Sequence, residues 1–283
     1  MADQGASFWI PGFWGSLAAT PQRPGWSITT FYYHTAVSSD GTDADSDTVH
    51  IIPWYTFATP ILGLQPALGV MGTVGRAGAS MNETTVGTST SARPFRISDS
   101  LAGFGDPAPF LVMRWNEGVN NFMTYAAVGI PVGTYASDRL ANLAMGHWAI
   151  DAGAGYTYFN SQTGYEFSTA LGFTYNFVNP STHEQNGTDM HIDWGASRFV
   201  TKQVQVGLVG YLYDQISCDG GSGDQLGCFQ SRVAGVGPEI GYDFPIGPFE
   251  GYVNLKGYGE FASANRLAGW NLWLTFAISL GHP

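Results

Sequence analysis

Apolar and polar residues alternate one for one along most of the chain, most regularly from His147 to Val178. In the first run there, Trp148, Ile150, Ala152, Ala154, Tyr156 and Tyr158 share one face, opposite Ala149, Asp151, Gly153, Gly155 and Thr157. In the second, Phe167, Thr169, Leu171, Phe173, Tyr175 and Phe177 oppose Glu166, Ser168, Ala170, Gly172, Thr174 and Asn176. A period of two is the pattern of a β-strand with two unlike faces. An average strand has about five or six residues. These runs are about twice as long, as a strand crossing a bilayer must be. A short polar turn containing Gly164 joins them, so the pair reads as a hairpin, and the hairpin as the repeating unit of the molecule.

Similar runs predict strands over Trp26–Val37, Val49–Thr59, a poorly alternating Gln65–Gly78, Ala108–Asn116, Asn120–Ile130, Met190–Phe199, Gln203–Ser217, Ser231–Phe244 and Phe249–Phe261. A last strand sets Trp270, Leu272, Leu274, Phe276, Ile278 and Leu280 on one face. The odd-numbered connections, beginning with SSDGTDADSD, are long and polar, and the even ones are short turns. About twelve antiparallel strands with that asymmetry predict an all-β, up-and-down transmembrane β-barrel, with both termini on the periplasmic side. Pro53 and Pro238 fall inside predicted strands, where each removes a ladder hydrogen bond, so bulges are expected there.

Composition supports a membrane barrel. Charged residues are only 12% of the chain, about half the share in soluble domains, yet mean hydropathy is −0.02. No run of about 20 apolar residues could form a spanning helix. The 9 Trp, 14 Tyr and 18 Phe suit interfacial aromatic belts. A net charge of −11 argues against nucleic acid as a partner. One barrel uses residues 26–283, leaving 1–25 as an N-terminal segment on the periplasmic side. MADQGAS has no basic region before an apolar stretch, so the sequence reads as a mature product with an added or retained Met. Residues 5–25 are apolar but too short and Pro-rich to span as a helix. Two placements are open: an interfacial tail with Trp9 and Trp14 at headgroup level, or a plug in the barrel mouth.

The segments SFWIPGFWGSLAA, YTFATPILG, GFGDP, RWNEGVNNFMTY, IPVGTY and the His147–Val178 hairpin resemble the family of outer-membrane transporters of the meta-pathway of phenol degradation. The resemblance extends over nearly the whole chain. It implies a barrel in the outer membrane of a Gram-negative cell, in contact with its lipids and lipopolysaccharide, that transports small molecules, aromatic or hydrophobic ones among them. It carries over no catalytic or binding residues.

Candidate chemistry adds little to that reading. The acidic run Asp40, Asp43, Asp45 and Asp47 opens like a calcium loop but has Thr48 and Trp54 where the Gly and Glu belong, which favours a solvated anionic loop over a divalent site. His34, His50, His147, His183 and His191 show no metal-ligand spacing, and no cofactor motif is present. Cys218 and Cys228, the two cysteines of one polar loop, predict a disulfide that pins it. The inward faces collect Arg114, Asp151, Glu166, Asp193, Glu239, Asp243, Lys256 and Glu260, with Tyr211, Tyr252 and Tyr258. They read either as a wet, mutually paired lining or as a selectivity lining. Six acids against two bases predict weak cation selectivity, strengthened by Lys256→Ala and weakened by Glu260→Ala. A passive channel for small molecules fits best. An outer-membrane enzyme would need a nucleophile cluster that the sequence does not display, and a surface binding or structural barrel would need larger outer loops.

Overall fold

The computed structural model describes residues 7–39, 41–85, 93–224 and 227–280. Asp40 of the acidic run, and most of the MADQGAS stretch, lie outside them. The strands are β1 (Gly25–Ser39), β2 (Thr42–Thr56), β3 (Gln65–Thr85), β4 (Arg93–Phe104), β5 (Ala108–Glu117), β6 (Asn120–Gly129) and β7 (Ala149–Asn160). They continue as β8 (Tyr165–Asn176), β9 (Asp189–Phe199), β10 (Val204–Gln215), β11 (Arg232–Ile246), β12 (Phe249–Ala264) and β13 (Ala268–Ser279). Every neighbour pair is antiparallel, and β1 pairs with β13 from Ser27↔Ser279 to Ser38↔Ala268. The sheet therefore closes, and twelve strands form the barrel. Closure leaves no open sheet edge in lipid, which is what lets a sheet cross a membrane at all.

The thirteenth strand is β4. The outer half of β3, Val74 to Thr85, pairs with β4, and its inner half, Gln65 to Met71, pairs with β5. The stretch expected as one long polar loop up to Gly105 thus contains a strand, and β3 runs past the predicted Gly78. The edge of β4 turned away from β3 is covered by residues 131–146. Thr134 N–H donates to the Phe104 carbonyl at 2.7 Å. Arg139 grips Asp99 through Nε and Nη2 at 3.2 and 2.6 Å. Asp106 accepts from the N–H groups of Gly133 at 2.9 Å and Met145 at 2.8 Å. The GFGDP and IPVGTY motifs are therefore the two sides of one clasp.

Outside, the alternating residues form an apolar band. Leu68, Leu111, Ile150, Phe173, Leu208, Ile240, Leu255 and Leu274 are all exposed. So large an apolar surface is a liability in water and matches hydrocarbon. Trp26, Tyr55 and Tyr165 ring one end, and Trp148, Tyr175 and Trp270 the other, as aromatic girdles do at the two membrane surfaces. The barrel thus has the outer surface of a transmembrane β-barrel.

Two connections differ from expectation. The strands of β1 and β2 continue to Ser39↔Thr42, so the acidic run is mostly strand rather than loop. Asp45 there pairs with Arg76 at 3.0 Å, Asp47 with His34 at 2.8 Å, and Asp43 with Arg96. Cross-strand charge pairs keep a polar strand in its ladder. Between β12 and β13 only residues 265–267 intervene. The prolines produce no bulge: register advances three residues on each side past Pro53 and past Pro238, and the irregularity in β11 falls between Arg232 and Ala234.

Candidate functional site

Residues 8–20 lie among the inward side chains of the barrel, in turns and bends rather than strand. Trp9 is 3% exposed and Trp14 9%, far from the exposure of a headgroup anchor. The Trp9 ring stacks on His191 with centroids 4.1 Å apart and 12° between planes, and lies 5.5 Å from Tyr125. Phe13 packs against Phe110 and Phe31, at 5.7 and 5.9 Å. The small inward residues of the central hairpin make room for this. A Cβ on Gly172 would sit 2.1 Å from the Tyr125 hydroxyl. On Gly195 of β9 it would meet the Ser16 backbone nitrogen at 2.8 Å, so only a glycine lets the segment approach there. Gly12 has φ +90°, a backbone conformation that favours glycine.

A segment without strand pairing must satisfy its backbone groups elsewhere. The inward acids do this. Asp193 accepts from the N–H groups of Gly12 at 2.8 Å and Trp14 at 3.1 Å, and from the Trp9 indole at 3.3 Å. Glu166 accepts from Leu17 N–H at 2.9 Å, and Thr157 Oγ1 from Ala19 N–H at 3.0 Å. Ser16 donates to Glu239, and Lys256 Nζ to the Gly12 carbonyl at 2.5 Å. Lys256 also lies 4.8 Å from the ring centre of Trp273.

Every residue of the predicted lining points inward, but most of its charge is already engaged. Asp151 bonds His191 Nε2 at 2.9 Å and Thr174 at 2.5 Å. Glu260 accepts from Tyr211 at 2.7 Å and from Gly269 N–H at 2.9 Å. Tyr252 donates to Gln205 at 3.1 Å. Asp243 is half-buried near the short-turn end, and the Tyr258 ring lies against Gly12. Counting acids against bases thus overstates the free negative charge of this lumen. The count could not register that carboxylates were receiving backbone donors of the chain's own first residues. Sequence reading also passed over the role of Tyr125 and His191, which sit beneath Trp9; their inward strand parity was the available signal. His191 bonds Asp151 and Tyr125 through Nε2 and is fully buried.

Arg114 is the exception. Only 7% of it is exposed, its Nε has no partner, and it is the buried charged side chain among the described residues with neither a hydrogen bond nor an ion pair. It lines a cavity of about 180 Å³ between the N-terminal segment and the wall, with Phe31, Trp54 and Trp273. It also borders a second of about 190 Å³ beside Glu239, Tyr252 and Asn254. Gln22 and Gln65 exchange hydrogen bonds at 2.8 and 3.1 Å nearby. Among the described residues no group of three or more His, Cys, Asp or Glu could hold a metal ion. Cys218 and Cys228 form the expected disulfide, with Cα atoms 4.4 Å apart. Asp219 beside it accepts from Gly187 N–H at 2.9 Å and Gln215 at 2.6 Å, tying the bridged loop to the next one.

The fold has a solved counterpart. An outer membrane channel from Pseudomonas putida F1 superposes with a TM-score of 0.74 at 13% identity, covering 92% of this chain and 98% of that one. A Pseudomonas aeruginosa FadL homologue reaches 0.44 at 9% identity, over 89% and 88% of the two chains. The translocator domain of the autotransporter NalP from Neisseria meningitidis reaches 0.45 at 8%, over 93% and 91%. No curated protein sequence matches the chain. A family model described as "Putative MetA-pathway of phenol degradation" matches residues 17–276. With that match spanning the barrel and the end of its luminal segment, the chain belongs to this phenol-degradation family of outer-membrane barrels.

Proposed function

We propose that the barrel is a passive outer-membrane channel for small aromatic or hydrophobic molecules, closed at rest by residues 7–20. The observation that carries this is the attachment of that segment. Its described residues lie among the inward side chains and are held there by hydrogen bonds involving side chains and by ring contacts. Such contacts can be exchanged for water or solute without opening the barrel ladder. Cavities of about 180 and 190 Å³ beside the segment suit a single small ring, and the aromatic wall suits ring stacking. The family description supports the aromatic class. In this reading both termini face the periplasm, since β1 begins and β13 ends at the short-turn end. The charged rungs at Asp43, Asp45, Arg76 and Arg96 then meet lipopolysaccharide headgroups.

Planar-bilayer conductance tests it. Full-length protein should be nearly silent, and a chain lacking residues 5–20 should conduct and admit phenol-sized solutes into liposomes. If neither conducts any ion or solute, the channel reading fails. If both conduct equally, the segment does not close the pore.

A further inference from the structure

A guanidinium buried without an acceptor is costly, and proteins otherwise avoid it. Arg114 stands in that position, and it borders the cavity between the N-terminal segment and strands β1, β2 and β13. The walls of that cavity carry two kinds of surface. Phe31, Trp54, Trp273 and Ile52 offer apolar and aromatic faces, while Thr29, Thr56 and Arg114 add polar side chains to the lining. Asp193, Glu166 and Glu239 take donors from the N-terminal segment, Asp151 bonds His191 and Glu260 bonds Tyr211, and no ion pair joins any acid to Arg114 among the described residues. The missing partner is therefore an anion, and the aromatic walls require it to carry an apolar body.

We propose that this cavity binds a small aromatic carboxylate, with the Arg114 guanidinium taking the carboxylate and the Phe31, Trp54 and Trp273 rings enclosing the arene. About 150 Å³ of apolar cavity is enough for benzene, so about 180 Å³ holds one ring with its carboxylate. Arginine presents paired N–H donors that match both carboxylate oxygens. Phe13 and Trp14 of the segment also line the cavity, so a bound acid would touch the plug itself. The inference rests on the channel reading for its biological sense, but the site stands or falls separately.

Benzoate, benzyl alcohol and acetate are the probes, titrated by calorimetry and tryptophan fluorescence into the full-length barrel in detergent. Benzoate should bind and outbind both benzyl alcohol, which lacks the charge, and acetate, which lacks the ring. Arg114→Gln should weaken benzoate about tenfold or more, leave benzyl alcohol within about threefold, and Arg114→Lys should recover part of the loss. Benzoate binding unchanged in Arg114→Gln, acetate as tight as benzoate, or no benzoate binding to the wild type each overturns the proposal. Should Arg114→Gln fail to assemble, as judged by its gel mobility before and after boiling, the wild-type ranking decides: benzyl alcohol equal to or tighter than benzoate overturns it. Flux is measured in parallel. Benzoate binding in a barrel that never conducts refutes the channel alone, and conduction without benzoate binding refutes the site alone.

Discussion

Asp193→Asn is the most direct perturbation of closure. The carboxylate takes three donors from the N-terminal segment, at 2.8, 3.1 and 3.3 Å. The amide is nearly the same shape, but one of its two acceptors becomes an NH₂. Oδ1 can still serve Gly12, while Trp14 N–H and the Trp9 indole then face another donor. A hydrogen bond to a charged group contributes about 1.5–3 kcal/mol. The 3.3 Å indole contact belongs at the low end of that range or below it. Against the loss stands a gain: closing the lumen dehydrates a charge in the wild type and only an amide in the variant. The net is taken as about 2 kcal/mol, a shift of roughly thirtyfold in the open-to-closed ratio. Single-channel recording should show open probability rising by that order, with the unitary conductance of the open state close to that of the 5–20 deletion. The barrel ladder is untouched, so gel mobility with and without boiling should match the wild type. If Asp193→Asn stays as quiet as the wild type while the deletion conducts, this carboxylate is not what holds the segment.

Gly195→Val should also open the channel without any change of charge, because its side chain needs the space of the Ser16 backbone; an unchanged open probability would mean that the close approach has no energetic weight. Lys256→Ala leaves the Gly12 carbonyl without its donor and should raise open probability about tenfold, so conductance should respond as well as selectivity; a change in selectivity alone counts against that role. Cys218→Ser should leave barrel assembly intact and loosen residues 218–228, a loop for which closure contributes about 2–3 kcal/mol at most; loss of the assembled barrel would contradict this. Asp99 lies on the β3–β4 extension, beyond the membrane, and its carboxyl is held below the ordinary value of 3.8, first by the Ala141 N–H and then by Arg139. A lowered folded pKa gives stability that is present above the ordinary value and lost as pH falls through the folded one. Hydrogen exchange over residues 136–143 should therefore be protected at pH 5–7 and lose protection only below about pH 4; protection lost by pH 6 would rule out the Asp99 clasp as the anchor.

Strand parity alone determined most of the architecture. Alternation in Tyr165–Asn176 placed Glu166 inside and Phe173 outside, because a side-chain period of two leaves no other arrangement once one face meets lipid. The isolated cysteine pair likewise settled its own bridge. The acidic run escaped that logic, since its polar residues resemble a loop until Arg76, Arg96 and His34 arrive from neighbouring strands to pair with them. β4 escaped it too, because its pairing with β3 and its cover from residues 131–146 are contacts between segments far apart in sequence. Tertiary structure alone decided where the N-terminal segment lies. Whether Trp9 belonged at a headgroup or against His191 depended on acceptors supplied by β8 and β9, well over a hundred positions along the chain. The same packing of the segment that engaged Asp193 and Glu166 left Arg114 without a partner. Local pattern records which face a side chain takes, but only the folded barrel distributes its charges among partners.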